Sequence, residues 1–196
     1  MKSASNTFKE IPVVLFKNQK AWSAWLDKNH TKSSGVWLRL AKKASEIKSV
    51  SYSEALEIAL CYGWIDGQKE RYDESSWLQK FTPRGVRSIW SKINREKAQV
   101  LIKSGQMKAA GLAAIENAKQ NGRWEGAYDS PGASTVPSDF QAELDKSPAA
   151  KAFFATINSA NRYAILFRIQ TARKAETRAR RIQEFISMLE RKETLH

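Results

Sequence analysis

Along WIDGQKERYD and FTPRGVRSIWSKIN, a carboxylate, an arginine, hydroxyls and an amide are spaced so that one chain reversal would gather them. Asp66 comes two residues after Trp64, just beyond a glycine, Gly63, that suits the end of a helix. If the segment from Trp77 folds back on it as a second strand, Arg84 returns to the Asp66 end of the ribbon. Ser88 then opens a helix with Trp90, Ser91 and Asn94 on its first turns. Helix N-terminal amides and a guanidinium favour a negatively charged ligand. Trp64 and Trp90 would give it the flat apolar walls that small-ligand pockets use. In such a pocket Asp66 could also serve as acid or base on a small anionic substrate held by Arg84. The same residues make structural sense too, with Asp66 and Arg84 as an ion pair, Ser88 as a cap and the tryptophans as core.

Other chemistries find little support. The two histidines, His30 and His196, have no second ligand at helical or turn spacing, so neither metal nor cofactor is expected. Cys61 lies on the inner face of a predicted helix, as a small hydrophobe does. GWIDGQ lacks the Lys-Ser/Thr pair of a phosphate loop. Arg123, Trp124, Tyr128 and Asp129 cluster where a helix should stop and a linker begin. Arg173, Lys174, Arg178, Arg180 and Arg181 gather near a helix start, where the dipole disfavours positive charge. They answer either to nucleic-acid phosphate or to carboxylates such as Glu184, four residues after Arg180. No aromatic lies between Arg173 and Phe185 to stack a base, so nucleic acid is not the favoured partner. A small anionic ligand or an acidic protein is.

The elements that must position these residues follow from periodicity. Ile11–Phe16 is a β-branched run that reads as a strand. Asn18 caps a helix bearing Ala21, Trp22, Trp25 and Leu26 on one face. Val36, Leu38 and Leu40 alternate with Trp37, Arg39 and Ala41 in a second strand. Ser51 and Glu54 form a capping box ahead of an apolar helix that Gly63 terminates. The helix from Ser88 should bury Ile89, Ile93, Val100 and Leu101 and close at Gly105. The next, from Met107 to Gly122, has an inner face of small residues and should approach a neighbour closely. YDSPGASTVP is a linker. Beyond it come helices at Asp139–Asp145, from Ser147-Pro148, from Ser159 and at Ala175–Arg191. The expected fold class is α+β: a small antiparallel sheet packed by helices, followed by a C-terminal helical module. Residues 1–126 would form the first domain, 127–137 the linker and 138–196 the module, packed on the first.

With 42% hydrophobic residues and 7 Trp, the chain can fill an ordinary core. IPVVLF is too short to span a bilayer, and MKSASNTFKE lacks the apolar stretch of a signal peptide. One cysteine fits a reducing compartment, so a cytoplasmic protein without a membrane segment is expected. Net charge is +13, dispersed without a block of like charges. It attracts anions in general, and a diffuse surplus also serves solubility.

GVWLRLAKK, SYSEALEIALCYGWIDGQ, FTPRGVRSIWSKIN, LIKSGQMKAAGLAAIENAK, NGRWEGAYD and NSANRYAILFRIQTARKAETRARRIQEFISML occur in this order. Together they resemble the YdeI/OmpD-associated, bacteriocin-protection family over nearly the whole chain. The segment from Ser138 onward is similar to the helical module that gives the family its name. The resemblance implies a link to bacteriocin or stress protection, and it implies no reaction and no cofactor. Some relatives carry a different N-terminal domain similar to iron-handling proteins, whose pattern is absent here, so iron binding is not carried over.

Overall fold

The computed structural model describes residues 7–196. The leader reading therefore falls partly outside the described residues, since it rests in part on positions 1–6. No helix among the described residues is long and apolar enough to cross a membrane. The chain divides into two compact units, one of residues up to Ser88 with Asn94–Glu125, the other of Ile89–Ile93 with Gly126–His196. The fold is α+β.

The first unit is built on a five-stranded sheet of order β1-β2-β3-β5-β4. Its strands are β1 (Thr7–Phe8), β2 (Ile11–Val14), β3 (Val36–Ala41), β4 (Trp64–Arg71) and β5 (Ser76–Pro83). The sheet is mixed where an antiparallel one was expected, because β2 and β3 run parallel. Helix α1 (Gln19–Asn29) supplies the crossover that a parallel pair requires. β5 lies between β3 and β4, and Pro83 is tolerated there as its last residue.

Local signals set the helix ends. Asn18 Oδ1 accepts from the Ala21 amide at 3.0 Å and starts α1. Ser51 and Glu54 close a reciprocal capping box on α2 (Tyr52–Cys61), and Gly63 follows it at φ 69°. Trp22, Leu26, Leu56, Leu60 and Trp64 form a core over the sheet, with Trp22 and Trp25 stacked at 5.4 Å. α4 (Ala109–Gln120) meets the end of α2 through its small residues. A Cβ on Gly111 would sit 2.8 Å from the Leu60 carbonyl oxygen, and one on Gly63 2.7 Å from that of Ala110. The close approach read from the small-residue face is the observed packing.

Helix α3 (Lys92–Lys103) departs from expectation. It starts four residues after Ser88, whose amide closes a turn on the Gly85 carbonyl at 2.9 Å. The cause is non-local. Trp90 and Lys92 exchange backbone bonds with Tyr128, at 2.9 and 2.8 Å, and this bridge holds Ser91 extended. The inner face is also corrected: Ile89, Ile93 and Val100 are 41%, 47% and 64% exposed, while Ala98 and Leu101 are buried.

In the second unit, α5 (Ser138–Lys146), α6 (Pro148–Thr156), α7 (Ser159–Gln170) and α8 (Ala175–Glu190) enclose a core of Phe140, Leu144, Phe154, Ile165, Ile182, Phe185 and Leu189. Ser147 caps α6 with Pro148 at its first turn. Asp129 anchors the preceding segment. Burial pushes its carboxyl up, but the Lys92 ammonium at 2.5 Å and the Gln170 amide at 2.7 Å outweigh that and hold it below the usual range.

Candidate functional site

The return strand carries Arg84 to the start of β4, where its amide donates to the Gly63 carbonyl at 2.9 Å. Its side chain has Nε and Nη2 buried. Asp66 Oδ2 accepts a hydrogen bond from Tyr52 Oη at 2.7 Å, a partner that the sequence did not suggest. The rest of the expected cradle lies elsewhere. Trp64 is a core residue, 1% exposed, with its indole N–H on the His30 carbonyl at 3.1 Å. Ser88 precedes the helix, and Trp90 is buried in the second unit; Asn94 alone of the set sits on the first turn of α3. The helix N-terminus expected at Ser88 is therefore not there to receive an anion.

Register on β4 builds a different site. Asp66 pairs with Phe81, but Lys69 pairs with Gln79, so β4 spends three residues where β5 spends two. This bulge restores parity: Trp64, Asp66, Lys69 and Arg71 all fall on one face, which an unbroken strand would not allow. Buried Gln79 braces the bulge, its amide donating to the Gly67 and Gln68 carbonyls at 2.9 and 3.2 Å. The Gly67 in WIDGQ was the signal that could have revealed it.

At the Arg71 end of that face lies a cleft of about 660 Å³ lined by Ala41, Lys42, Lys43, Lys69, Glu70, Arg71 and Trp77. Trp77, half-buried in β5, pairs across the sheet with Leu40 and Arg71. Lys69 Nζ stands 4.5 Å from its ring centroid, and the Tyr52 ring is 6.0 Å away at 47°. Tyr52 thus links Asp66 to the aromatic wall. Glu70, the single carboxylate in the lining, is bound by Lys9 at 2.6 Å. Lys42 Nζ donates to the Asp73 and Glu74 carbonyls at 2.9 and 3.0 Å, closing the β4–β5 turn.

The turn is itself a tight polar anchor. Arg39 Nε donates to the fully buried Ser76 hydroxyl at 2.8 Å, and Ser76 donates to Asp73 Oδ1 at 2.7 Å. Asp73 is held down to about 2, chiefly by the Ser76 hydroxyl, with Ser75 and Arg39 adding to it against an opposing burial effect.

The basic C-terminal set is largely committed within the second unit. Arg178 holds both Asp139 oxygens at 2.6 and 2.8 Å and the Ile169 carbonyl at 2.9 Å. Arg180 pairs with Glu184 at 2.6 Å, the carboxylate answer that the spacing allowed. Arg181 donates to the Arg168 carbonyl. Lys174 occupies the N-cap position of α8 without a side-chain cap bond, and Arg173 precedes it.

Residues 14–114, more than half of the 196-residue chain, match the model of a family described as a domain of unknown function, DUF8412. The chain belongs to the DUF8412 family. Residues 133–192 match the model described as bacteriocin-protection, YdeI or OmpD-associated, so the resemblance holds over the C-terminal helices. It is a shorter stretch than the motifs suggested, and the blocks from GVWLRLAKK to LIKSGQMK fall in the DUF8412 match. No curated protein and no solved structure matches the chain. Every lining residue of the lysine cleft lies inside the DUF8412 region, and Arg178, Arg180 and Arg181 lie in the other match.

Proposed function

We propose that this DUF8412 protein is a binding protein that accepts a small anionic ligand in the Lys42–Lys43–Lys69–Arg71 cleft. The carrying observation is the imbalance of charge around one half-buried tryptophan: four cations line the cleft, against one carboxylate that Lys9 already pairs. Cations crowded on one surface repel, and an anion relieves that cost while gaining their summed field. Among the described residues, the cleft cation in a side-chain ion pair is Arg71, 78% exposed against a Glu74 partner 89% exposed, so that pair is worth little and Arg71 can turn to a ligand. The cleft volume falls in the roughly 300–1,000 Å³ range of small-ligand sites. The family description of residues 133–192 suggests the setting, protection against bacteriocins, and the cytoplasm is the compartment we favour for a chain with one buried free thiol.

Calorimetric titration with inorganic tripolyphosphate tests this reading. Lys43→Glu and Lys69→Glu should each weaken binding about tenfold or more, and added salt should weaken it further. Lys42 is a poorer probe, because it also closes the turn. An absence of binding, or binding indifferent to both charge reversals, would refute the proposal.

A further inference from the structure

We infer that the anion is a nucleotide, its ring stacked on Trp77 and its phosphates on the lysines; this rests on the anion-binding reading above and narrows it. Inorganic anions need cations and amides, and gain nothing from an indole. Yet a tryptophan, Trp77, lines this basic cleft beside the lysines. Its backbone is pinned on both sides, to Leu40 in β3 and to Arg71 in β4. A ring so held offers a stacking surface whose ordering cost has already been met in folding.

The groups around the ring fit a planar, electron-rich guest. Lys69 Nζ lies over the indole at 4.5 Å, and both residues line the cleft. The contact is a weak cation–π pair, of the size a stacked base can replace while the ammonium swings to phosphate. Tyr52, 39% exposed and 6.0 Å from Trp77, adds a second aromatic surface. Its hydroxyl is fixed by Asp66, whose carboxylate is an acceptor suited to sugar hydroxyls or base amino groups and unsuited to a bare anion. The volume, about 660 Å³, suits one nucleotide rather than a run of them.

The test compares ATP with inorganic tripolyphosphate on the full chain by calorimetry, in wild type, Trp77→Leu and Trp77→Phe. ATP should bind about tenfold tighter than tripolyphosphate, as one stacked base contributes. Trp77→Leu should abolish that advantage, so that ATP and tripolyphosphate bind alike, and retained binding of tripolyphosphate reports that the cleft is still folded. Trp77→Phe should retain most of it. Equal affinity of the two ligands in wild type would overturn the nucleotide assignment and leave the anion reading intact. Failure of both to bind would overturn both. A single-stranded decamer binding about a hundredfold tighter than ATP would overturn the single-nucleotide assignment in favour of a nucleic acid strand.

Discussion

Asp66 and Lys69, three residues apart on β4, point to the same face of the sheet because the register slips by one residue between them. That slip places Lys69 above Trp77 and leaves Asp66 under Tyr52. Gln79 is the side chain that holds it. Replacing it with Ala removes the buried amide that donates to the bulge carbonyls of Gly67 and Gln68, two exposed residues. Gln79→Ala should therefore lower stability by about 0.5–1.5 kcal/mol in chemical denaturation, and it should weaken tripolyphosphate binding as Lys69 loses its fixed position.

The α2–α4 contact makes an opposite-sign prediction to helix propensity. Alanine is favoured over glycine inside a helix by about 1 kcal/mol. At position 111, however, the added methyl meets the Cys61 and Leu60 backbone carbonyls, which cannot yield as a side-chain tip would. Overpacking of this kind costs about 1–3 kcal/mol. Gly111→Ala should thus lower the Tm, and a calorimetric scan showing a higher Tm would contradict the close approach.

Asp73 supplies a pH signature for the turn. Its folded-state carboxyl is depressed from the usual value of 3.8 to about 2. A depressed acid stabilises the folded form above the unfolded value, and that contribution is lost as pH falls through the folded one. Protection of the Ser75 and Ser76 amides from hydrogen exchange should accordingly persist at pH 4 and decay between about pH 4 and 2. In Asp73→Asn that acid-dependent step should vanish.

Within the C-terminal helices, Arg178 and Arg180 should behave differently despite their similar spacing. Arg178 joins α8 to Asp139 and to a backbone carbonyl of α7, whereas Arg180 donates to Glu184 one turn along its own helix. Arg178→Ala should cost about 1–3 kcal/mol, because a partly buried carbonyl and carboxylate lose their donor. Arg180→Ala should stay within about 0.5 kcal/mol. Equal, negligible effects in both would return these arginines to the surface set available for nucleic acid.

What the chain discloses before folding depends on the reach of each signal. Asn18, Ser51 with Glu54, Gly63 and Ser147-Pro148 act within four residues, and each marks the helix boundary that its chemistry predicts. The hairpin of β4 and β5 was readable from alternation and the polar turn. The start of α3 was not, because Tyr128, over thirty residues on, decides it by pairing with Trp90 and Lys92. The cleft was missed for the same reason. Lys42, Lys69 and Trp77 become neighbours only through pairing across β3, β5 and β4, and the bulge reverses the faces that a regular period of two assigns to Lys69 and Arg71. Of the expected cradle, Asp66 keeps a place beside the cleft through Tyr52, while Trp64 serves the core.

Backbone and indole ¹H–¹⁵N shifts recorded during an ATP titration test the account most directly. The largest changes should appear at the Trp77 indole N–H and at the amides of Lys42, Lys43, Lys69 and Arg71, with the segment from Arg173 to Arg181 unmoved. Shifts confined to that arginine segment, or none at Trp77 at saturating ligand, would contradict it.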